Sequence, residues 1–313
     1  MANIGVVIVT YNRLDKLKHA LALFDRQTVP PAYVLVVDNA STDGTGAYLQ
    51  QWKGEESAFS RHVISSASNT GGSGGFYMGL EAAQKLDAQW IWLSDDDAFP
   101  EENALEEAAC FLERKKGELE DISAFCGCVI NDGRYDLDHR RRITRQGLRI
   151  TEIPCPESDY EKEAFPLDTI SYVGIVIHKP YLDKVGLTEK DFFIWYDDTE
   201  HSLRLGRAGK MYCVPAIRIH HDTPAANGEL NWKTYYGTRN LLFSIKKHFS
   251  FCCFIYAAAS CLYHSLADVC IGKGRRVGGI LRLRALKDAV RSRLGIHPIY
   301  KPGWKPEEEQ HGG

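Results

Sequence analysis

The chain has 313 residues, 44% of them hydrophobic and 25% charged, with a formal net charge of -3 at neutral pH. This is the composition of an ordinary globular protein with one large domain or two of average size. The small net charge provides no overall attraction to nucleic acid, so nucleic acid is not an expected partner. The N-terminal residues lack a basic segment and a small-residue cleavage site, which argues against a signal peptide.

The first third of the chain alternates predicted strands with predicted helices. Strands are predicted at 3–10, 33–37, 61–65 and 90–94, and helices from Leu14 to Phe24, from the turn after Asp38 to about Trp52, and from Phe76 to Leu86. Such alternation indicates a mostly parallel sheet with helices on both faces. Residues 69–75, Asn-Thr-Gly-Gly-Ser-Gly-Gly, are predicted to form a glycine-rich loop before the third helix.

The rest of the chain is predicted to extend this sheet and then to become helical. Helices are predicted at 101–116 and 199–207, strands at 122–130, 171–179 and 211–219, and a helical pattern from Asn231 to about Leu294. The polar segment 131–165 has no clear periodicity, so we expect a long functional or mobile loop there. We therefore predict an α/β catalytic domain over residues 1–230 and a helical C-terminal region over residues 231–313.

The nine cysteines are scattered along the chain. The only close pairs are Cys126 with Cys128 and Cys252 with Cys253, and neither has the Cys-x-x-Cys spacing of structural zinc sites. An odd number of cysteines without a secretion signal is typical of free thiols in a reducing cytosol. The expected location is therefore cytoplasmic.

Three consecutive aspartates, Asp95, Asp96 and Asp97, follow the apolar strand predicted at 90–94. Carboxylates this close raise one another's pKa, and apolar neighbours raise it further. A hard divalent cation with oxygen ligands neutralises such a cluster, and the alternative is a solvated acidic turn. Because open α/β sheets bind ligands at the carboxyl ends of their strands, the position favours a metal site.

Two other polar segments also follow strands of this sheet. Asp38 either accepts a hydrogen bond from a base or ribose of a ligand, or caps the following helix. The glycine-rich segment 69–75 has neither the Rossmann spacing nor the lysine of a P-loop. It either lets backbone amides approach a diphosphate at a helix N-terminus or is simply a flexible turn.

The segment from Trp195 to Glu200 places acids beside aromatic rings. Helix capping explains one of these acids, whereas a carboxyl desolvated by aromatic rings has a raised pKa and suits general-base catalysis. Further on, His220 and His221 precede Asp222 at the end of a predicted strand. Either imidazole can join carboxylates at a metal, although a single histidine is more often structural.

Together these segments resemble the inverting family 2 glycosyltransferases of the GT-A fold, a Rossmann-like nucleotide-sugar-binding α/β architecture. The matching blocks are VVIVTYNR, VVDNASTDGT, NTGGSGGF, LSDDDAF, FIWYDDTEHSLRLGRAG and HHD, which occur in the family's order over about residues 3–245. The galactofuranosyltransferase branch is the most similar, and rhamnosyltransferases share much of the pattern. Two departures are the doubled histidine and the absence of the extra domains of the long galactan polymerases, which favours addition of a single sugar.

The resemblance implies a role for each block. Asp198 would be the general base, and Asp95 and Asp97 with His221, or with His220 in its place, would bind Mn2+ or Mg2+ on the donor diphosphate. Asp38 would bind the uracil and ribose of a UDP-sugar. The implied substrate-binding residues are Thr10, Tyr11, Arg13, Asp38, Asn69, Gly71, Gly72, Gly75, Asp95, Asp96, Trp195, Tyr196 and Asp197.

The implied function is transfer of galactofuranose from UDP-galactofuranose to a hydroxyl of a glycan or lipid-linked glycan in surface polysaccharide synthesis. A rhamnosyltransferase using dTDP-rhamnose has the same fold and mechanism. A non-catalytic nucleotide-sugar-binding protein is the alternative of another class.

The C-terminal region has a composition of its own. Residues 251–263 are apolar and aromatic, but His264 and Asp268 interrupt the pattern, so a membrane-spanning helix is not expected. Ten basic residues follow with a single acid, Asp288: Lys273, Arg275, Arg276, Arg282, Arg284, Lys287, Arg291, Arg293, Lys301 and Lys305. This pattern favours peripheral attachment to the inner face of the cell membrane. The alternative is that the helix packs on the catalytic domain or on a second subunit of a homo-oligomer.

Overall fold

The protein is described by a computed structural model over residues 3–222, 230–271 and 275–306. The strands in these ranges are β1 (Ile4–Thr10), β2 (Tyr33–Asp38), β3 (Ser60–Ser65), β4 (Trp90–Asp95), β5 (Ala98–Pro100), β6 (Ile122–Asn131), β7 (Arg134–Tyr135), β8 (Arg140–Gln146), β9 (Arg149–Pro154), β10 (Phe165–Pro166), β11 (Thr169–Ile170), β12 (Ile175–His178) and β13 (Lys210–His221). The helices are α1 (Leu14–Asp25), α2 (Thr45–Gly54), α3 (Gly71–Ala83), α4 (Ala104–Arg114), α5 (Lys179–Val185), α6 (Asp197–Ala208), α7 (Lys233–His248), α8 (Phe251–Ile271) and α9 (Arg276–Val290).

A large sheet in the order β10-β13-β6-β12-β4-β1-β2-β3 forms the centre of the fold. Its strands β1, β2, β3 and β4 are parallel, β13 is parallel to β6, and β12 runs antiparallel between β4 and β6. The strands β1 and β2 are buried on both faces, as their continuous valine and isoleucine runs require. The predicted α/β architecture with a mostly parallel sheet flanked by helices is confirmed.

The segment predicted as an irregular loop, 131–165, is structured, and that prediction is wrong. It contains β7, β8 and β9, and its last residue begins β10, with β8 pairing with β9 and β11 in a second, three-stranded sheet. Its strands expose much of their surface, so they lack the apolar alternation by which strands are recognised. The strand predicted at 171–179 is shorter than expected and begins only at Ile175.

The predicted glycine-rich loop is also different from expectation, because α3 begins at Gly71 rather than at Phe76. Gly71 has a φ of +74°, a left-handed conformation that glycine adopts without strain. The following glycines lie inside the first turns of the helix. Glycine disfavours helices in isolation, so tertiary packing decides the helix start here.

The chain divides into two compact units. Unit 1 comprises residues 1–144, 152–190 and 198–223 and contains the large sheet; unit 2 comprises residues 145–151, 191–197 and 224–313 and contains α7, α8 and α9. The helical pattern expected after residue 231 is thus present in unit 2. Two short segments from the first part of the chain, 145–151 and 191–197, belong to unit 2 as well. The domain boundary at residue 230 stays a prediction.

Candidate active site

Three neighbouring parallel strands of unit 1 bring polar residues to one edge of the sheet. Thr10 at the end of β1 is level with Asp38 at the end of β2, and Val9 is level with Asp95 at the end of β4. The acidic triplet therefore begins at the end of β4, which pairs with β1 on the side opposite β2. This is the edge at which open α/β sheets bind ligands.

Asp95 and Asp97 form a compact group with His221. One ligand atom from each residue lies within 4.8 Å of the other two. His221 belongs to β13, where its Nε2 is 3.4 Å from Oδ1 of Asp97. The alternation of the strand points His220 to the opposite side, where it is half exposed and its Nε2 lies 3.2 Å from a carboxylate oxygen of Glu101. The geometry thus distinguishes the two histidines that the sequence left open.

Basic side chains also face this group. Nη1 of Arg13 is 2.6 Å from Oδ2 of Asp97, and Nζ of Lys16 is 3.7 Å from the same oxygen. Burial raises the pKa of Asp97, but the hydrogen bond to His221 and the charges of Arg13 and Lys16 hold it below the usual value. Asp97 is therefore an anion with one oxygen toward the cations and the other toward the histidine. The two carboxylates suit Mn2+ or Mg2+, and the imidazole favours Mn2+ over the harder Mg2+.

Asp96 has different neighbours from the acids on either side of it. Its Oδ2 accepts a hydrogen bond of 2.8 Å from the hydroxyl of Thr10, and its Oδ1 lies 3.2 Å from Nη1 of Arg13. Burial raises the pKa of Asp96 to about 6, although Arg13 and Thr10 oppose the shift. The described residues that could hold a metal ion do not include it. Asp96 instead fixes Arg13 against the end of β1.

The turns after β1 and β2 are joined to each other. Oδ1 of Asp38 accepts from the backbone amide of Ser41 at 2.9 Å and so closes the turn after β2. Asp38 does not cap the following helix, because α2 begins at Thr45 with Gly44 as its N-cap residue and without a side-chain capping bond. Asn12, with a φ of +52°, accepts a hydrogen bond of 2.6 Å from the amide of Thr42. Tyr11 is 40% exposed between these turns, so its ring is available to a ligand.

The glycine segment is held by two asparagines. Asn39 donates to the carbonyl of Gly71 at 2.8 Å and accepts from the amide of Thr70 at 2.9 Å. Asn69 accepts from the amide of Gly71, also at 2.8 Å. Asn69 thus stabilises the backbone at the start of α3, in addition to its predicted contact with substrate. Sequence analysis did not select Asn39, although its place directly after Asp38 was a signal.

Glycines in this segment serve two purposes. A β-carbon on Gly75 would lie 2.5 Å from a methyl group of Val9, so this glycine permits α3 to lie close to β1. A β-carbon on Gly72 would meet nothing within 4 Å. Of the three predicted glycines, Gly75 is therefore explained by helix packing, whereas Gly72 has open space beside it.

The segment that carries the predicted base has an unusual backbone. Phe193, Trp195 and Tyr196 have φ values of +67°, +64° and +68°, which cost roughly 1–3 kcal/mol for each non-glycine residue. Asn240 of α7 donates to the carbonyls of Phe192, Ile194 and Trp195 at 2.9 to 3.1 Å. Within unit 2, α7 therefore holds this loop in its left-handed conformation. The helical pattern predicted after residue 231 did not identify Asn240 as a residue that holds this loop.

The acids that follow the loop have separate environments. Asp198 is half-buried at the start of α6, where its Oδ1 accepts from the amide of Thr199 at 2.6 Å. Glu200 is fully buried and forms a two-pronged pair with Arg204, so it is structural. Asp197 is buried and Trp195 is 46% exposed.

Sequence analysis missed one carboxylate close to Asp198. Burial raises the pKa of Glu152, Arg141 opposes the shift, and the charge of Asp198 raises it further. An oxygen of Glu152 lies 2.9 Å from Nη1 of Arg141. Lys16 beside Asp97, and His139, whose ring centroid is 5.0 Å from that of His221, were also missed. Glu152 lies in β9 and His139 lies directly before β8. Both belong to the segment that was predicted as loop, so neither was considered as a site residue.

A mostly parallel sheet with carboxylates and a histidine at the ends of its strands defines the class of GT-A nucleotide-sugar glycosyltransferases. The model of Glycosyl transferase family 2 matches residues 5–161, half of the chain, and the protein belongs to that family. It is a glycosyltransferase, and the family predicted from the sequence is confirmed.

Individual relatives refine this assignment. The chain is 27% identical over 220 residues to the galactofuranosyltransferase GlfT1 of Mycobacterium tuberculosis, covering 70% of each chain. It is 24% identical over 228 residues to the dTDP-rhamnosyl transferase RfbF of Shigella flexneri, covering 70% of this chain and 69% of the relative. Among solved structures, GalNAc-T7 with UDP, GalNAc and Mn2+ superposes with a TM-score of 0.61 at 16% identity. That superposition covers 93% of this chain and only 56% of GalNAc-T7.

Proposed function

We propose that this protein is a metal-dependent, inverting galactofuranosyltransferase that uses UDP-galactofuranose. Its acceptor would be a hydroxyl of a glycan or of a lipid-linked glycan in the synthesis of a surface polysaccharide. The observation that carries the proposal is the group of Asp95, Asp97 and His221 at the carboxyl edge of the sheet. The similarity to GlfT1 over 70% of both chains supports galactofuranose as the sugar.

The residues present fit a divalent cation. Asp95, Asp97 and His221 would hold it, and Arg13 and Lys16 add positive charge beside Asp97. When bound, the cation supplies charge neutralisation for a leaving nucleoside diphosphate. Mn2+ accompanies UDP in the structure of GalNAc-T7, which supports this choice of metal.

The donor would lie along the strand ends. In this proposal, Asp38, Thr10, Tyr11 and Arg13 bind the nucleoside of the donor. The backbone at Asn69, Gly71 and Gly72 borders its diphosphate, with the amide of Gly72 as the hydrogen-bond donor, because the amides of Thr70 and Gly71 donate to Asn39 and Asn69. Asp96 positions the sugar donor through Arg13. Gly75 is assigned to the packing of α3 on β1.

The acceptor would be activated by Asp198. Its carboxylate would take the proton of the acceptor hydroxyl while that oxygen attacks the anomeric carbon, so that a single displacement inverts the configuration. Trp195, Tyr196 and Asp197 would line the acceptor side. The half-buried position of Asp198 at a helix start supports a carboxylate that is accessible yet partly desolvated.

A rhamnosyltransferase using dTDP-rhamnose is the second candidate, supported by the similarity to RfbF at 24% identity. A screen with UDP-galactofuranose, dTDP-rhamnose, UDP-glucose and UDP-galactose, with detection of the released nucleoside diphosphate, tests both. Release from UDP-galactofuranose alone supports the proposal, and release from dTDP-rhamnose alone overturns it. Tight binding without any release would favour a non-catalytic nucleotide-sugar-binding protein.

We also propose that the protein attaches peripherally to the inner face of the cell membrane. In the described ranges, only α8 is long and apolar enough to cross a bilayer, with a mean hydropathy of 1.4. Core helices of soluble proteins can be equally long and apolar, but only 11% of the apolar stretch of α8 is buried. Phe251, Tyr263 and Ile271 are each more than 70% exposed. The basic residues of the following segment support attraction to anionic lipid; Lys273 among them lies outside the described residues.

A further inference from the structure

A groove of about 670 Å³ lies between α7 and α8, entirely within unit 2. One face of α7, from Thr234 to Ile245, and one face of α8, from Cys253 to His264, form its walls. On both helices the lining residues recur every three or four positions, as expected for a continuous face. The α7 face extends over about 16 Å, since a helix rises 1.5 Å per residue.

The two ends of the groove differ in chemistry. At one end Ile245 packs against Cys253 and Phe254, together with Ile150. The packed side chains at this end are apolar, and Arg149, the neighbour of Ile150 in the chain, is the basic residue that lines the groove there. The other end has aromatic and basic groups. A β-carbon on Gly237 would lie 2.9 Å from the ring of Trp195, which places the indole at the start of α7. His264 and Arg282 also line the groove, and Arg282 pairs with Asp268 of α8.

The charged side chains that line the groove indicate the kind of ligand that fits it. The lining residues include Arg149, His264 and Arg282 but no acid; Asp268 does not line it. Tyr256 and Leu241 in the walls are 44% and 36% exposed, so a ligand can enter from solvent. An apolar channel of this length with a basic end fits an amphiphile with a hydrocarbon chain and an anionic head group.

We propose that this groove binds the hydrocarbon chain of a lipid-phosphate-linked acceptor, with the phosphate at the end formed by Trp195, His264 and Arg282. The inference rests on the proposed function, because it assigns the acceptor of that reaction. Tyr196, which also lines the groove, precedes Asp198 by two residues in the chain. Their Cα atoms are therefore at most about 7 Å apart. Tyr196 thus connects this end of the groove through two residues of chain to the proposed base.

The test measures binding of farnesyl phosphate, farnesol and inorganic phosphate to the full-length protein by calorimetry. Ala257→Phe and, separately, Ser260→Phe fill the groove, whereas Ala259→Phe adds the same ring to the exposed side of α8. We expect wild type to prefer farnesyl phosphate over both other compounds. Each filling variant should weaken this binding at least about tenfold, equivalent to the loss of roughly two buried methylene groups. Ala259→Phe should bind as wild type does.

Binding of UDP and release of UDP from the donor in the absence of acceptor are measured on the same variants. Both should be unchanged, which separates this inference from the proposed function: a protein that binds no UDP refutes that function, whatever the lipid result. Wild type that binds no farnesyl phosphate, or binds it no better than farnesol, overturns the inference. Folded filling variants with wild-type affinity overturn it as well.

Discussion

Asp97 has oppositely directed neighbours on its two carboxylate oxygens, with Arg13 on one and His221 on the other. A carboxylate placed in this way remains ionised and can exchange a histidine contact for a metal ion without losing its arginine partner. His220 and His221 offer a matched pair for testing this role, since only His221 faces Asp97.

His221→Gln should raise the Mn2+ concentration required for half-maximal activity at least about tenfold. Replacing even a residue that only supports a metal ligand lowers metal affinity by about that factor, and His221 is a proposed ligand. His220→Gln should leave it unchanged. The measurement is activity titrated with Mn2+ after treatment with EDTA. Full activity in excess EDTA, or equal effects of the two variants, would contradict the assignment.

Asp198→Asn should lower kcat by about 10²- to 10⁴-fold, the usual contribution of a general base, because the amide cannot accept the proton. Affinity for the UDP-sugar should be retained, since the change does not alter shape. The control is Asp197→Asn, with its folding checked by thermal melting. An inactive Asp197→Asn together with an active Asp198→Asn would move the base by one residue.

The raised pKa of Asp96 implies that the free energy of unfolding depends on pH. A carboxyl whose pKa is about 6 in the folded protein, above its unfolded value, destabilises the fold once it is ionised. Its unfavourable contribution therefore grows as the pH rises from about 4 to about 6. Asp96→Asn should raise the free energy of unfolding at pH 7.5 by roughly 1–3 kcal/mol, with a much smaller effect at pH 4. Urea unfolding in EDTA at both pH values measures this; a destabilised variant at pH 7.5 would contradict it.

Among the elements, α3 shows how packing can override local preference. A segment with five glycines between residues 71 and 79 is a poor helix by propensity, yet it is helical. Gly75 and Gly79 allow the helix to lie on β1, because β-carbons there would approach Val9 and Val7 to 2.5 and 2.4 Å. Sequence analysis identified the segment but explained its glycines by close approach of a diphosphate or by a flexible turn, since the proximity of β1 is a property of the folded chain.

Gly75→Ala should therefore destabilise the protein by about 1–3 kcal/mol, the usual cost of overpacking. Gly72→Ala should not be destabilising, since its β-carbon meets nothing within 4 Å and alanine favours a helix. The free energies of unfolding are compared in urea. Weaker binding of UDP-sugar by a stable Gly72→Ala would support close approach of the diphosphate to this backbone. A stable Gly75→Ala would contradict the packing assignment.

For the whole molecule, the sequence predicted the fold class, the family and the strand ends that carry the acids. Continuous buried strands such as β1, β2 and β4 have a clear apolar pattern, and acids stand at the ends of β2 and β4. The residues that were missed depend on contacts distant in the chain. Glu152 lies in the misassigned segment, and Asn240 acts on a loop 45 to 48 residues before it. No local pattern reports such contacts.

The proposed membrane attachment is also tested on the whole molecule. We expect the protein to float with anionic liposomes at low salt, and less at high salt or with neutral liposomes, because basic residues contribute about 1 kcal/mol each near an anionic surface. Tyr263→Glu, at a side chain that is 71% exposed on α8, should reduce binding without unfolding the protein. Flotation that ignores lipid charge and salt, or no flotation at all, would reject the attachment.

The contacts of Asn240 with the loop from Phe192 to Trp195 have a practical consequence. A shortened protein that ends before α7 would keep every acid of the candidate site and still lose the side chain that binds three carbonyls of the strained loop preceding Asp198 in the chain. Released from Asn240, residues such as Trp195 and Tyr196 would relax from positive φ. The C-terminal helices therefore cannot be removed without loss of these contacts, and a minimal active fragment has to include α7.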